Sequence, residues 1–137
     1  MYLLDTNILS EIVRRAPNQT VMARLRSHNP HALFASELTR FELRQGACLR
    51  PDTATFWETL EDRVMPVVTW LTVTRLIAER AGDVAAILQR QGREPKDPID
   101  PLLAATAAIH GLTFVTRNVR DFERVPGIRL ENWFAEV

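Results

Sequence analysis

The chain has 137 residues and a mass of 15.6 kDa, 46% hydrophobic and 25% charged. That is the size and balance of one globular domain, and it excludes disordered, collagen-like and coiled-coil chains. The seventeen basic residues balance seventeen acidic ones, so strong long-range steering of a polyanion is not expected.

The single cysteine, Cys48, excludes an internal disulfide framework and any Cys-cluster zinc or iron–sulfur site. No apolar run approaches the ~18 residues of a membrane span. Tyr2-Leu3-Leu4 is too short for a signal core before the charge at Asp5, so a cytoplasmic location is expected. The basic set is sixteen Arg and one Lys, Lys96. Arginine is the better bidentate phosphate ligand, which suits a nucleic-acid partner. GC-rich coding produces the same bias with no function behind it.

In chain order, Tyr2-Leu3-Leu4 reads as a short buried strand, and Asp5-Thr6-Asn7 as a helix start. Ile8, Leu9, Ile12 and Val13 recur at helical spacing up to Ala16-Pro17. A second helix is expected from about Thr20 to Ser27, then a strand at Ala32 to Ala35. Ser36 caps a third helix with an apolar stripe of Leu38, Phe41, Leu43, Ala47 and Cys48. Asp52 or Thr53 opens a fourth, with Phe56, Trp57, Leu60 and Val64 inward. Met65 to Val68 is a strand candidate that Pro66 confines to an edge or a strand start. A long amphipathic helix follows from about Thr72 to Gln91, ended by Gly92. Asp97-Pro98 starts an Ala-rich helix that runs to His110-Gly111. Leu112 to Val115 reads as a strand buried on both faces, and Ile128 to Leu130 as a weaker one. Strands alternating with helices predict an α/β layer fold with a mostly parallel sheet.

In such sheets ligands bind beyond the carboxyl ends of the strands. Asp5 follows the first strand, Glu42 lies on the helix after the second, and Asp100 is in the first turn of the Ala-rich helix. Asp121 follows the Thr116-Arg117-Asn118 turn after the late strand. Each has an ordinary structural role open to it: capping for Asp5 and Asp100, a solvated helix face for Glu42, a turn for Asp121. A parallel sheet, however, puts all four on one rim. Two unit charges ~5 Å apart repel by about 3 kcal/mol at an effective dielectric near 20. Such a cluster takes up protons or a cation, and an all-oxygen set selects Mg²⁺ or Mn²⁺. His28, His31 and His110 have no ligand spacing, which argues against zinc.

Four blocks carry a resemblance: Leu3-Leu4-Asp5-Thr6-Asn7-Ile8-Leu9-Ser10, Ser36 to Gly46 around Glu42, Asp100-Pro101-Leu102-Leu103-Ala104-Ala105-Thr106-Ala107, and Thr116 to Phe122. In this order the chain resembles the PIN-domain ribonucleases, and within them the VapC-type toxins of toxin–antitoxin pairs, the FitB-like branch most. The resemblance implies a single PIN-like three-layer α/β/α domain over residues 1–137 and a Mg²⁺-dependent endoribonuclease. It implies Asp5, Glu42, Asp100 and Asp121 as the acidic set, a cognate VapB-type antitoxin that fills the site, and homodimerisation. Thr6, Asn7, Thr116 and Asn118 match the polar shell around those acids, where capping is their alternative role. Pro101 departs from the small residue usual after the third acid, and a first helical turn tolerates it. Asp97 remains a rival to Asp100.

On this reading Asp5, Asp100 and Asp121 hold the ion, Glu42 holds or deprotonates the attacking water, and Arg44, Arg117 and Arg120 neutralise phosphate oxygens. Two other readings stand beside it. A PIN-like module that binds RNA or a partner without cutting keeps the same acids. A receiver-type signalling domain also gathers acids and Mg²⁺ at strand ends, but needs paired acids after its first strand and a lysine after a late one. Here one acid follows the first strand, and Lys96 precedes the Ala-rich helix.

Overall fold

A computed structural model describes residues 1–135. Its five strands are β1 (Tyr2–Leu4), β2 (Leu33–Ser36), β3 (Thr69–Leu71), β4 (Thr113–Val115) and β5 (Arg129–Glu131). They pair in the order β3-β2-β1-β4-β5, every pair parallel. Six helices connect them: α1 (Thr6–Leu9), α2 (Gln19–Ser27), α3 (Glu37–Cys48), α4 (Thr53–Arg63), α5 (Arg75–Arg90) and α6 (Ile99–His110).

β1 is central, so both of its faces are covered. Leu3 and Leu4 are each fully buried but point to opposite sides, as successive strand residues must. Leu4 joins Ile8, Val21, Leu43 and Leu60 in one core, supplied by α1 to α4. Leu3 joins Val84, Leu88, Leu103 and Phe122 in the other, supplied mainly by α5 and α6. Phe114 and Val115 divide between the two cores in the same way. The result is three layers, helices on both faces of a parallel sheet. The strand order reverses at β1, between β2 and β4, and a crevice opens there at the carboxyl ends of the strands.

Several sequence expectations shift. Met65 to Val68 does not form a strand: Met65–Val67 is a 3₁₀ turn with Pro66 in its first positions, and the strand begins at Thr69. A proline cannot donate to a ladder, but it fits the start of a turn. β3 is an edge strand, as Pro66 required of any strand here. The first helix narrows to 3₁₀ geometry over Ser10–Val13. α5 starts later than expected, where the Thr74 hydroxyl accepts from the Ile77 amide at 3.2 Å. On α3, Leu43 and Ala47 are buried with Thr39, but Phe41 and Cys48 face outward. Gly111 closes α6 in the left-handed conformation at φ 65°, which glycine adopts without strain. No helix among the described residues is long and apolar enough to cross a membrane.

Candidate active site

Asp5 is the residue after β1, and its place follows from the ladder: its amide donates to the Val115 carbonyl of β4 at 3.0 Å. The side chain is only 8% exposed. One carboxylate oxygen accepts from the Thr6 amide at 2.8 Å. The other accepts from the buried Thr116 hydroxyl at 2.8 Å and, at 3.5 Å, from the Asn7 side chain. Asp5 therefore caps α1 and faces the crevice at once; its capping role and its place in the cluster coexist. Burial pushes its pKa up, the hydrogen bonds from Thr116 and Thr6 pull it back, and Asp97 adds repulsion.

Glu42 reaches the same rim from α3. Its Oε1 accepts from the Thr6 hydroxyl at 2.7 Å, which ties β1's exit to a helix thirty-six residues on. Partial burial raises its pKa, the Thr6 bond opposes this, and Asp5 and Asp97 raise it further. Asp100 sits in the first turn of α6. Its carboxyl is pushed up to about 7, first by burial and then by the charges of Asp97, Asp5, Asp121 and Glu42. Asp121 ends the 3₁₀ turn Val119–Asp121 after β4. All four sequence candidates are thus close enough to feel one another, and Asp97 is a fifth carboxylate in the cluster. The sequence treated Asp97 as an alternative to Asp100. In the fold it caps α6, its Oδ1 accepting from the Ile99 amide at 2.9 Å, while its charge acts on Asp5, Glu42 and Asp100.

The polar candidates divide. Thr6 and Thr116 hold carboxylates directly. Asn7 bridges, its carbonyl oxygen accepting from the Arg117 amide at 3.2 Å. Asn118 contributes its backbone amide, which donates to the Thr116 hydroxyl at 3.0 Å and so aims that hydroxyl at Asp5. The arginines divide as well. Arg44 lies over the Trp57 ring at 4.9 Å and Arg117 over Phe134 at 4.5 Å. Only Arg120 lines a hollow shared with Asp100 and Asp121.

None of these five acids has an ion-pairing Arg or Lys among the described residues. Nor do three of them stand close enough together there to cage a metal as they are. Among the described residues the Thr6 hydroxyl is the one hydrogen-bond partner of the Glu42 carboxylate, so replacing it with an isosteric methyl has a defined effect. Thr6→Val should lower RNA cleavage by roughly ten- to a hundredfold, the usual range for a partner that orients an acid. The melting temperature should stay near that of the parent. Equal activity in the two proteins would mean that Glu42 needs no such support.

The PIN-domain family model matches residues 2–128. The chain belongs to the PIN-domain family, in its VapC–FitB group. This PIN domain is 34% identical over 132 residues to the tRNA(fMet)-specific endonuclease VapC of Shigella flexneri, with 96% of this chain and 97% of that one covered. Its fold is similar to that in the FitAcB crystal structure from Neisseria gonorrhoeae, at a TM-score of 0.89 and 30% identity, covering 99% of this chain and 100% of that one. DNA-bound VapBC from Salmonella typhimurium gives a TM-score of 0.84 at 30% identity, covering 96% and 97%. Family membership sets the receiver-type reading aside.

Proposed function

We propose that this PIN domain is the toxin of a toxin–antitoxin pair and hydrolyses RNA phosphodiester bonds in the cytoplasm with the help of Mg²⁺ or Mn²⁺. The observation that carries the reading is the carboxylate cluster at the carboxyl end of β1, where burial first and the neighbouring charges second push Asp100 up to about 7. A relative named as an endonuclease, alike over nearly its full length, supports it. The donor set is all oxygen and forms no ion pair among the described residues, which fits a hard divalent cation. Asp5, Asp100 and Asp121 would hold it. When bound, such an ion supplies positive charge that activates water and offsets charge on the phosphate oxygens.

The chain's own groups have separable parts. Thr116 and the Thr6 amide fix the Asp5 carboxylate, leaving it no freedom to swing away. Glu42, oriented by the Thr6 hydroxyl, takes the proton of the attacking water. Its raised pKa brings it nearer the working pH of a general base. The water oxygen bonds to phosphorus, and the bond from phosphorus to the departing nucleotide oxygen breaks. Cleavage of total RNA by the purified protein in Mg²⁺, absent in EDTA and absent for Asp5→Asn, is the expected result. RNA bound but left intact in Mg²⁺ would favour the non-cleaving module instead.

The antitoxin reading rests on a groove of about 1230 Å³ that meets the cluster at Thr6 and Glu42. Its floor includes Ile12, Leu43, Phe56 and Leu60. An apolar segment ending in a basic side chain is complementary to such a groove with carboxylates at its end. The similarity to solved toxin–antitoxin complexes supports a cognate, VapB-type partner.

Homodimerisation, which the resemblance implies, draws on few apolar residues of α4 and α5. Leu60, Ile77, Val84 and Leu88 are buried within the chain, and Phe56 and Trp57 pack against its core. The large apolar side chains that stay exposed among the described residues include Phe41, Leu49, Val73, Leu76 and Ile109, Leu76 being 60% exposed. Light scattering at tens of micromolar should give about twice 15.6 kDa; a mass equal to that of one chain would rule the dimer out.

A further inference from the structure

A second, smaller hollow of about 220 Å³ meets the cluster from the other side, at Asp100 and Asp121 rather than at Glu42. Four cations line it, and Glu94 is a further carboxylate in its wall beside Asp100 and Asp121. Arg93 and Lys96 come from the connection between α5 and α6, and Arg120 and Arg124 from the segment after β4. The spacing of Arg120 and Arg124 is legible in the sequence, but their meeting with Arg93 and Lys96 depends on how the two segments pack. Among the described residues none of the four has an ion pair or a side-chain hydrogen bond.

That freedom separates them from three of the four arginines of the large groove, all but Arg15. There Arg14 is paired with Glu11 at 3.0 Å, Arg50 with Asp52 at 2.8 Å, and Arg63 donates to the Ile12 carbonyl at 2.8 Å. Those cations already have partners. In the hollow, four uncommitted cations gather beside two of the carboxylates that the proposed reaction uses. At roughly 30 Å³ per water, the space is several waters in size, suited to a compact anionic group rather than to a stacked base.

Resting on the nuclease reading above, we propose that this hollow is a phosphate subsite, which holds a phosphodiester flanking the one being cut. A nucleic-acid strand carries a phosphate at every nucleotide, so one can lie over the carboxylates while its neighbour lies among the cations. A lone anion would satisfy the cations but has no use for Asp100 and Asp121 as walls. The subsite also answers a problem of charge: a neutral protein with an acidic centre needs local cations to bring a polyanion to it.

The test measures binding of a labelled single-stranded RNA by fluorescence anisotropy over a range of salt, in Mg²⁺, with Asp5→Asn as the background so that the strand stays intact. Adding Arg93→Gln and Arg124→Gln together should raise the Kd about tenfold, the effect of losing charge-assisted bonds to one phosphate. The slope of log affinity against log salt should fall by about 0.7, the value for one single-strand phosphate contact. Single-stranded DNA of the same sequence should lose as much, since phosphates are common to both. Arg93→Lys with Arg124→Lys should recover the slope. An unchanged Kd and slope, no RNA binding by the background protein, a loss confined to one base sequence, or weakened binding of a protein partner alone would each overturn the subsite. Failure of the parent protein to cut any RNA in Mg²⁺ would sink the nuclease reading itself, a separate result.

Discussion

Asp100→Asn is expected to abolish RNA cleavage and, in metal-free buffer at pH 8, to melt at a higher temperature than the parent. Removing an orienting partner typically costs ten- to a hundredfold, so removing a carboxylate that holds the ion should cost more than about a hundredfold. The stability effect has the opposite sign because the native fold strains this group. Its pKa is pushed up to about 7 in the folded chain, against 3.8 for a free aspartate. Between those two values the native state keeps a proton that the unfolded chain has released. Stability of the parent therefore falls as pH rises from about 4 to 7 and levels off above.

An amide cannot ionise, so the variant escapes that loss. Asp100 is half-buried, and solvent screening reduces the effect to about 1–2 kcal/mol. For a chain of this length that is roughly 4–8 °C in Tm. At pH 4 the two proteins should melt together. Mg²⁺ should stabilise the parent more than the variant, since an ion bound only in the native state adds to its stability. Full cleavage by Asp100→Asn would remove it from the site. A variant that melts well below the parent at pH 8 would mean that Asp100 serves the fold and not the cluster.

The second large effect is on growth. Inducing this chain alone in a bacterial host should stop colony formation, and co-expressing a cognate VapB-type antitoxin should restore growth. The Asp5→Asn chain, expressed to the same level, should be harmless. On the proposal above, a partner seated along Ile12, Leu43 and Phe56 would end at Thr6 and Glu42, where a basic side chain would pair with the carboxylates in place of the metal ion. Normal growth with soluble parent protein accumulating would refute the toxin reading. Arrest by the Asp5→Asn chain would show that harm arises from something other than cleavage.

Much of the architecture was written locally. The strand at Tyr2–Leu4, the Ser36 cap, the helix from Glu37, the Ala-rich helix and its Gly111 stop all depend on neighbours within a turn or two. Capping, φ preference and hydrophobic period act at that range, so a single sequence carries them. The four acids were legible for a related reason: each sits at a fixed offset from a strand end or helix start, and a parallel sheet puts strand ends on one edge.

What the sequence left open depends on segments far apart in the chain. Pro66 allowed a strand start or an edge, and only the pairing of Thr69–Leu71 with β2 decided that the chain would turn first and pair afterwards. Phe41 and Cys48 keep the spacing of an apolar stripe, yet α3 turns Thr39, Leu43 and Ala47 inward, because the face that meets α1 and α4 is chosen by packing and not by period. Asp97 looked like a competitor for Asp100, but three-dimensional placement made it a cap and a fifth charge together. Among the arginines, Arg44 and Arg117 found aromatic faces while Arg120 joined Arg93, Lys96 and Arg124 beside the acids. Sequence determined which groups carry charge and which local turns present them. Tertiary structure decided which charges meet, because Coulomb energy and burial depend on distances that local propensity does not set.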